Sequence, residues 1–145
     1  MKINVIKLEA LKSEVIFLMA DNKMDAYKAW LLNMPPALID EDIPEEIEGD
    51  SIAASFHLVG SKAPGLFIKK GVIDNTLNQN RNVKGISPIK ALNQTDLKLI
   101  RIITHECLHV TDYICGELGI YDSEFTANIL DYLVTEVLRL MKYDE

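Results

Sequence analysis

Two histidines with a glutamate between them are the clearest candidates for chemistry in this chain. They lie in the stretch His105-Glu106-Cys107-Leu108-His109, in a chain with three histidines in all. Imidazoles four residues apart are one helical turn apart, so both rings can reach one metal ion. Glu106 is rotated off that line and can instead take a proton from a water molecule beside the metal. The pattern predicts a zinc site with His105 and His109 as ligands and Glu106 as general base; the alternative is two buried histidines hydrogen-bonded into the core.

The helix that would carry this motif is expected over about 97–115. On a helical wheel His105, His109 and Asp112 form one narrow polar stripe, and nearly all other positions are apolar. This predicts a buried central helix whose single polar stripe faces a partner or a cavity. Asp112 is predicted to accept a hydrogen bond from the second ring nitrogen of His109, and it is also a fallback ligand.

A catalytic zinc usually takes three protein ligands and a water molecule, so a third donor is needed. The longer pattern HExxHxxGxxH is absent, because positions 112 and 115 are Asp and Cys. A second helix, expected from about Glu124 to Lys142, folds back across a turn between Gly116 and Gly119. Such a hairpin is predicted to bring Glu124 opposite the histidines as the third ligand.

The stretches "HECLH" and "EFTANIL" together resemble the gluzincin arrangement of zincin metallopeptidases. They are similar in particular to small ImmA/IrrE-like peptidases, in which a helix bearing glutamate and an E-x-x-A-N signature follows the HExxH helix; here that signature is residues 124–128. The chain also resembles small HExxH proteins encoded by phages and prophages. The resemblance covers residues 104–135 and implies a zincin-like minimal domain. It maps the metal ligands onto His105, His109 and Glu124, and the base onto Glu106.

Other residues are candidates for supporting roles near this site. His57, Tyr113 and Tyr121 are candidates for stabilising the oxyanion of the transition state. Asn128 belongs to the signature on the second helix, and is a candidate for a contact to a ligand or to substrate. For His57, an exposed histidine without a role is the competing interpretation.

The rest of the chain predicts a single α+β domain over 1–145, with a small twisted mixed sheet packed on the HExxH helix. "KINVIKL" and Glu14–Ala20 favour strands, although the first could instead open a helix. "MDAYKAWLLNM" favours a helix that ends before Pro35 and Pro36. Residues 51–60 and 65–70 favour two antiparallel strands, and 71–91 a long irregular connection.

Composition and charge narrow the partners. The formal net charge is −7, and seven acids lie between positions 40 and 50, which leaves 15 acids against 15 bases elsewhere. Without a basic footprint, nucleic acid is not an expected partner. No signal-peptide pattern or membrane span is evident, so we expect a soluble cytoplasmic protein with reduced cysteines; its oligomeric state is left open.

These features together predict a zinc-dependent metallopeptidase that hydrolyses a protein or peptide substrate. The substrate is expected to add as a strand to the sheet edge formed by 51–60 or 66–70. The alternative is a non-catalytic metal-binding protein, a phage structural or regulatory factor that binds a host protein. A helical hairpin without metal, serving as an interaction module, is a third interpretation.

Overall fold

The computed structural model describes residues 1–35, 43–60, 63–71 and 94–142. Within these ranges the chain forms four strands and three α-helices. The strands are β1 (Lys2–Leu8), β2 (Ser13–Ala20), β3 (Ala53–Phe56) and β4 (Gly65–Lys69). The helices are α1 (Lys23–Leu31), α2 (Gln94–Glu117) and α3 (Ser123–Lys142). The architecture is therefore α+β, with a mixed sheet and two C-terminal helices packed together.

The four strands form one sheet in the order β1-β2-β4-β3. β1 and β2 are antiparallel, β2 and β4 are parallel, and β4 and β3 are antiparallel. α1 lies in the connection between the parallel pair, as a crossover between parallel strands requires. In the described part of the chain β1 and β3 each pair with a single strand, so they are the two edges.

One face of the sheet is covered by α1. Asn22 begins this helix, with its Oδ1 atom accepting a hydrogen bond from the Asp25 amide at 2.8 Å. Trp30 is fully buried and donates from Nε1 to the Ala63 carbonyl at 2.9 Å. Its ring packs against Tyr27 and Phe56 with centroid distances of 5.8 and 5.6 Å. This aromatic cluster holds α1 against β3 and β4.

The opposite face is covered by α2 and α3, and it carries the larger core. The sheet contributes alternate residues such as Val15, Phe17 and Leu66. α2 contributes residues at helical spacing: Leu99, Ile103, Cys107, Val110 and Ile114. α3 adds Leu133, Val137 and Met141. The HExxH helix is thus anchored along its whole length by an apolar stripe.

The structure confirms most of the predicted elements and corrects two. "KINVIKL" is a strand, and both C-terminal helices are present at nearly the predicted bounds. The segment 66–70 is not a sheet edge, because β4 lies between β2 and β3. α2 is not buried all round, since Leu97 and Leu108 are exposed on the side that neither the sheet nor α3 covers.

Parts of the prediction lie outside the described residues. The irregular connection predicted over 71–91 is described only at Gly71, and residues 40–42 of the acidic segment are likewise not described. Residues 45–47 form a short 3-10 turn. None of the helices in the described ranges has the length and apolar character that a membrane crossing requires.

Candidate metal centre

The side chains of His105 and His109 meet on the exposed side of α2. Their Nε2 atoms are 3.0 Å apart, and their rings are nearly perpendicular, with centroids 4.5 Å apart. Both residues are exposed, so the pair is open to solvent. The sequence predicted this approach from the spacing of the two residues, and the burial of two core histidines does not occur.

The helix holds the pair because its opposite side is fixed in the core. Cys107, between the two histidines, is fully buried. Thr111, two residues after His109, is also buried. The Thr111 hydroxyl donates to the Cys107 carbonyl at 2.8 Å, which satisfies its polar group inside the core. The backbone between the histidines is therefore constrained, which keeps both residues on the same side of α2, one turn apart.

Glu106 is half-buried on the flank of the helix. The pKa of the neighbouring Cys107 thiol is raised to about 12. Burial is the larger cause, and the negative charge of Glu106 is the second. Cys107 therefore remains a protonated, unreactive thiol at neutral pH. Among the residues of the motif, Glu106 is the group available to exchange protons near the pair.

A second group of side chains ties α2 to the end of strand β3. The Tyr113 hydroxyl donates to the Leu58 carbonyl, and the His57 ring packs on the Tyr113 ring with centroids 4.7 Å apart. Tyr113 is one helical turn beyond His109, so this contact lies next to the histidine pair. His57 and Tyr113 are separate candidates in the sequence, and no local pattern predicts their contact. The hydrogen-bonded residues Tyr113 and Leu58 are 55 positions apart in the chain.

α3 begins beyond a tight turn, and its first residues carry the predicted third ligand. The Asp122 carboxylate accepts from the Phe125 amide at 2.8 Å and caps the helix. Glu124 and Asn128 are both exposed. His109 lies eight residues before the end of α2, about 12 Å along its axis, whereas Glu124 is in the first turn of α3.

Within the described ranges, no group of three or more His, Cys, Asp or Glu side chains is close enough to hold one metal ion. The structure thus brings together the two histidines, while the ligand role of Glu124 and the fallback role of Asp112 stay predictions. Asp112 is exposed on the same side of α2. Tyr121 is 85% exposed in the turn before α3, and its oxyanion role also stays a prediction.

Comparison of the chain with protein-family models, curated proteins and solved structures gave no significant match.

Proposed function

We propose that this chain is a zinc-dependent metallopeptidase of zincin-like architecture that acts in the cytoplasm. The observation that carries the proposal is the 3.0 Å separation of the Nε2 atoms of His105 and His109 on the open side of an otherwise anchored helix. Imidazole pairs in this arrangement are suited to hold one divalent ion.

The separation of the two nitrogens fits a shared metal ion. Zinc binds histidine nitrogen at about 2.0–2.1 Å, and tetrahedral geometry then puts two ligand nitrogens about 3.3 Å apart. The two rings need to part by a few tenths of an ångström to accept the ion. The same distance also suits a hydrogen bond from one neutral ring to the other, so the metal would replace a shared proton.

Glu106 is proposed as the general base. A zinc ion bound by the pair would lower the pKa of a coordinated water to about 7 and polarise the substrate carbonyl. The Glu106 carboxylate then accepts a proton from the attacking water and delivers it to the amine nitrogen of the departing peptide. Glu106 is one residue after His105, about 100° around the helix, so we propose that its carboxylate stays off the metal and serves only this transfer.

The substrate is proposed to bind as an extended strand along β3. Among the described residues β3 pairs with β4 alone, so its other side is proposed to accept a substrate strand by β-augmentation. The contact from Tyr113 to Leu58 joins the end of β3 to the helix that carries the histidines. A peptide on β3 would therefore run beside the His105 and His109 pair, and His57 and Tyr113 are proposed to contact its scissile region.

One observation favours a second candidate, the non-catalytic metal-binding protein. No third protein ligand joins the pair among the described residues, and a catalytic zinc usually has three. A site with two histidines could take its further donor from a bound protein partner. This candidate has no need of Glu106, and the difference makes the two functions separable by experiment.

The test compares the protein with its Glu106→Gln variant, using Glu117→Gln in the exposed last turn of the same helix as the matched control. Each is incubated with zinc and denatured casein, and cleavage is followed by mass spectrometry. We expect the wild type and Glu117→Gln to cleave, and Glu106→Gln to keep bound zinc with turnover reduced by about 10²-fold or more. Equal turnover in Glu106→Gln would remove this residue from catalysis. Zinc binding without cleavage by any of the three would support the non-catalytic candidate.

A further inference from the structure

The edge strand β1, on the far side of the sheet from β3, exposes apolar side chains that none of the described helices covers. Met1, Ile3 and Val5 are 58%, 47% and 51% exposed. Ile3 and Val5 lie opposite Leu18 and Ile16 of β2, on the face that α1 covers over the other three strands. A seven-residue apolar edge strand is a ready template for pairing with another strand.

The backbone groups at this open edge can be assigned from the pairing of β2. The Ile16 amide donates to the Pro64 carbonyl at 2.9 Å, so the backbone of Ile16 points towards β4. Phe17, one residue on, points towards β1, where it is opposite Asn4. Asn4 thus bonds inwards to β2, and the N–H and C=O groups of Ile3, Val5 and Lys7 point outwards from the sheet.

A groove of about 660 Å³ borders the same strand on its other face. It lies between β1 and α3 and is lined by residues that include Asn4, Ile129, Tyr132 and Leu140. The Oδ1 atom of Asn4 is buried there and has no hydrogen-bond partner among the described residues. An unsatisfied buried carbonyl oxygen is destabilising, so a donor is missing at this point of β1.

We propose that β1 is a homodimer interface, in which β1 of a second copy pairs antiparallel across a twofold axis at Asn4. On that axis Asn4 faces Asn4 of the second copy. Rotation of the two side chains out of the groove lets the amides, each both donor and acceptor, bond to one another. Ile3 then lies opposite Val5 of the second copy, and their outward backbone groups exchange hydrogen bonds. The exposed apolar side chains cover one another on the remaining face.

Charge favours this antiparallel arrangement over a parallel one. The chain has a net charge of −7, but β1 carries Lys2 and Lys7 and no acidic residue. Pairing of two β1 strands therefore brings no carboxylates together. A parallel pair in register would place each lysine beside itself, which is unfavourable. In the antiparallel register the two Lys7 residues are about 20 Å apart, at opposite ends of the ribbon. The dimer leaves β3 and the histidine pair of each copy uncovered.

The first test is the mass of the full chain in solution, measured by analytical ultracentrifugation over a range of concentrations. We expect a species of twice the 16.3 kDa chain mass. Val5→Lys places a charge in the paired strip and should raise the dimer dissociation constant by at least about tenfold. Leu32→Lys, at an 88% exposed position after α1, is the control and should leave it unchanged. A wild type that remains monomeric, or a dimer that Val5→Lys does not weaken, overturns the proposal.

The second test fixes the register and is independent of the effect of a charge. Facing residues that are not hydrogen-bonded to each other have Cα atoms about 4.5 Å apart, a distance that a disulfide accepts. Asn4→Cys should therefore form a covalent dimer on mild oxidation, whereas Lys7→Cys and Leu32→Cys should not. The two native cysteines are buried and do not interfere. Absence of crosslinking in a folded Asn4→Cys protein, or equal crosslinking of Lys7→Cys, contradicts the interface.

Discussion

Replacing Gly65 by alanine is expected to destabilise the protein by about 1–3 kcal/mol, because no room exists for the added methyl group. A Cβ atom at this position would lie 2.9 Å from Trp30 Cδ1 and 3.0 Å from Phe56 Cδ2. Carbon atoms in ordinary contact are about 3.5–4.0 Å apart, so the Trp30 ring must retreat by about 0.6 Å or more and the Phe56 ring by about 0.5 Å or more. The Trp30 ring is fully buried and hydrogen-bonded to the Ala63 carbonyl, so its retreat would disturb the packing of α1 on the sheet.

The assay is thermal unfolding followed by circular dichroism. For a chain of this size, 1 kcal/mol corresponds to roughly 3–4 °C in Tm, so Gly65→Ala should lower Tm by about 3–12 °C. Gly116→Ala is the matched control: it lies in α2 with no neighbouring atom within 4 Å of the added Cβ. Alanine there should be neutral or stabilising by up to about 1 kcal/mol. Equal Tm values for Gly65→Ala and wild type would refute the packing of α1 described above.

Two further predictions concern single interactions. Tyr113→Phe removes the hydrogen bond to the Leu58 carbonyl and should lower the free energy of unfolding by about 1 kcal/mol, measured by urea titration; an unchanged value would show that the bond does not form in solution. Lys69 Nζ lies 2.9 Å from Asp50 Oδ2. Its hydrogen bond, and secondly its charge, hold the pKa of the Asp50 carboxyl below its usual value, so the ionised form is favoured down to lower pH. The stabilisation is therefore present above the unfolded-state pKa and is lost as pH falls through the lowered one. An NMR titration should find the Asp50 midpoint shifted upwards by Lys69→Met, and an identical midpoint in the variant contradicts the ion pair.

The elements of the fold follow from local patterns in the sequence, and their arrangement does not. The β-branched residues of Lys2–Leu8 and the capping residues Asn22 and Asp122 are local signals, and the strand and helices lie where they predict. The order of strands depends on pairings between distant segments. For that reason 66–70 was wrongly predicted as a sheet edge, although it is paired on both sides.

The candidate site divides in the same way. The approach of His105 to His109 follows from a spacing of four residues within one helix, so the sequence predicts it. The distance from Glu124 to this pair depends on the level at which α3 meets α2, which the turn at 118–122 decides and helical periodicity does not. The contact from Tyr113 to Leu58 likewise depends on the packing of α2 against the end of β3.

The measurement that tests the central claim most directly is the titration of zinc into the purified, metal-free chain, with binding measured by isothermal titration calorimetry. The wild type should bind about one zinc ion per chain. His105→Ala and His109→Ala should each weaken that binding by about tenfold or more, while His57→Ala, which changes the third histidine, should retain it. Two results would contradict the claim that these two imidazoles form a metal centre. One is a wild type that binds no zinc, and the other is binding by His105→Ala and His109→Ala that is as tight as that of the wild type.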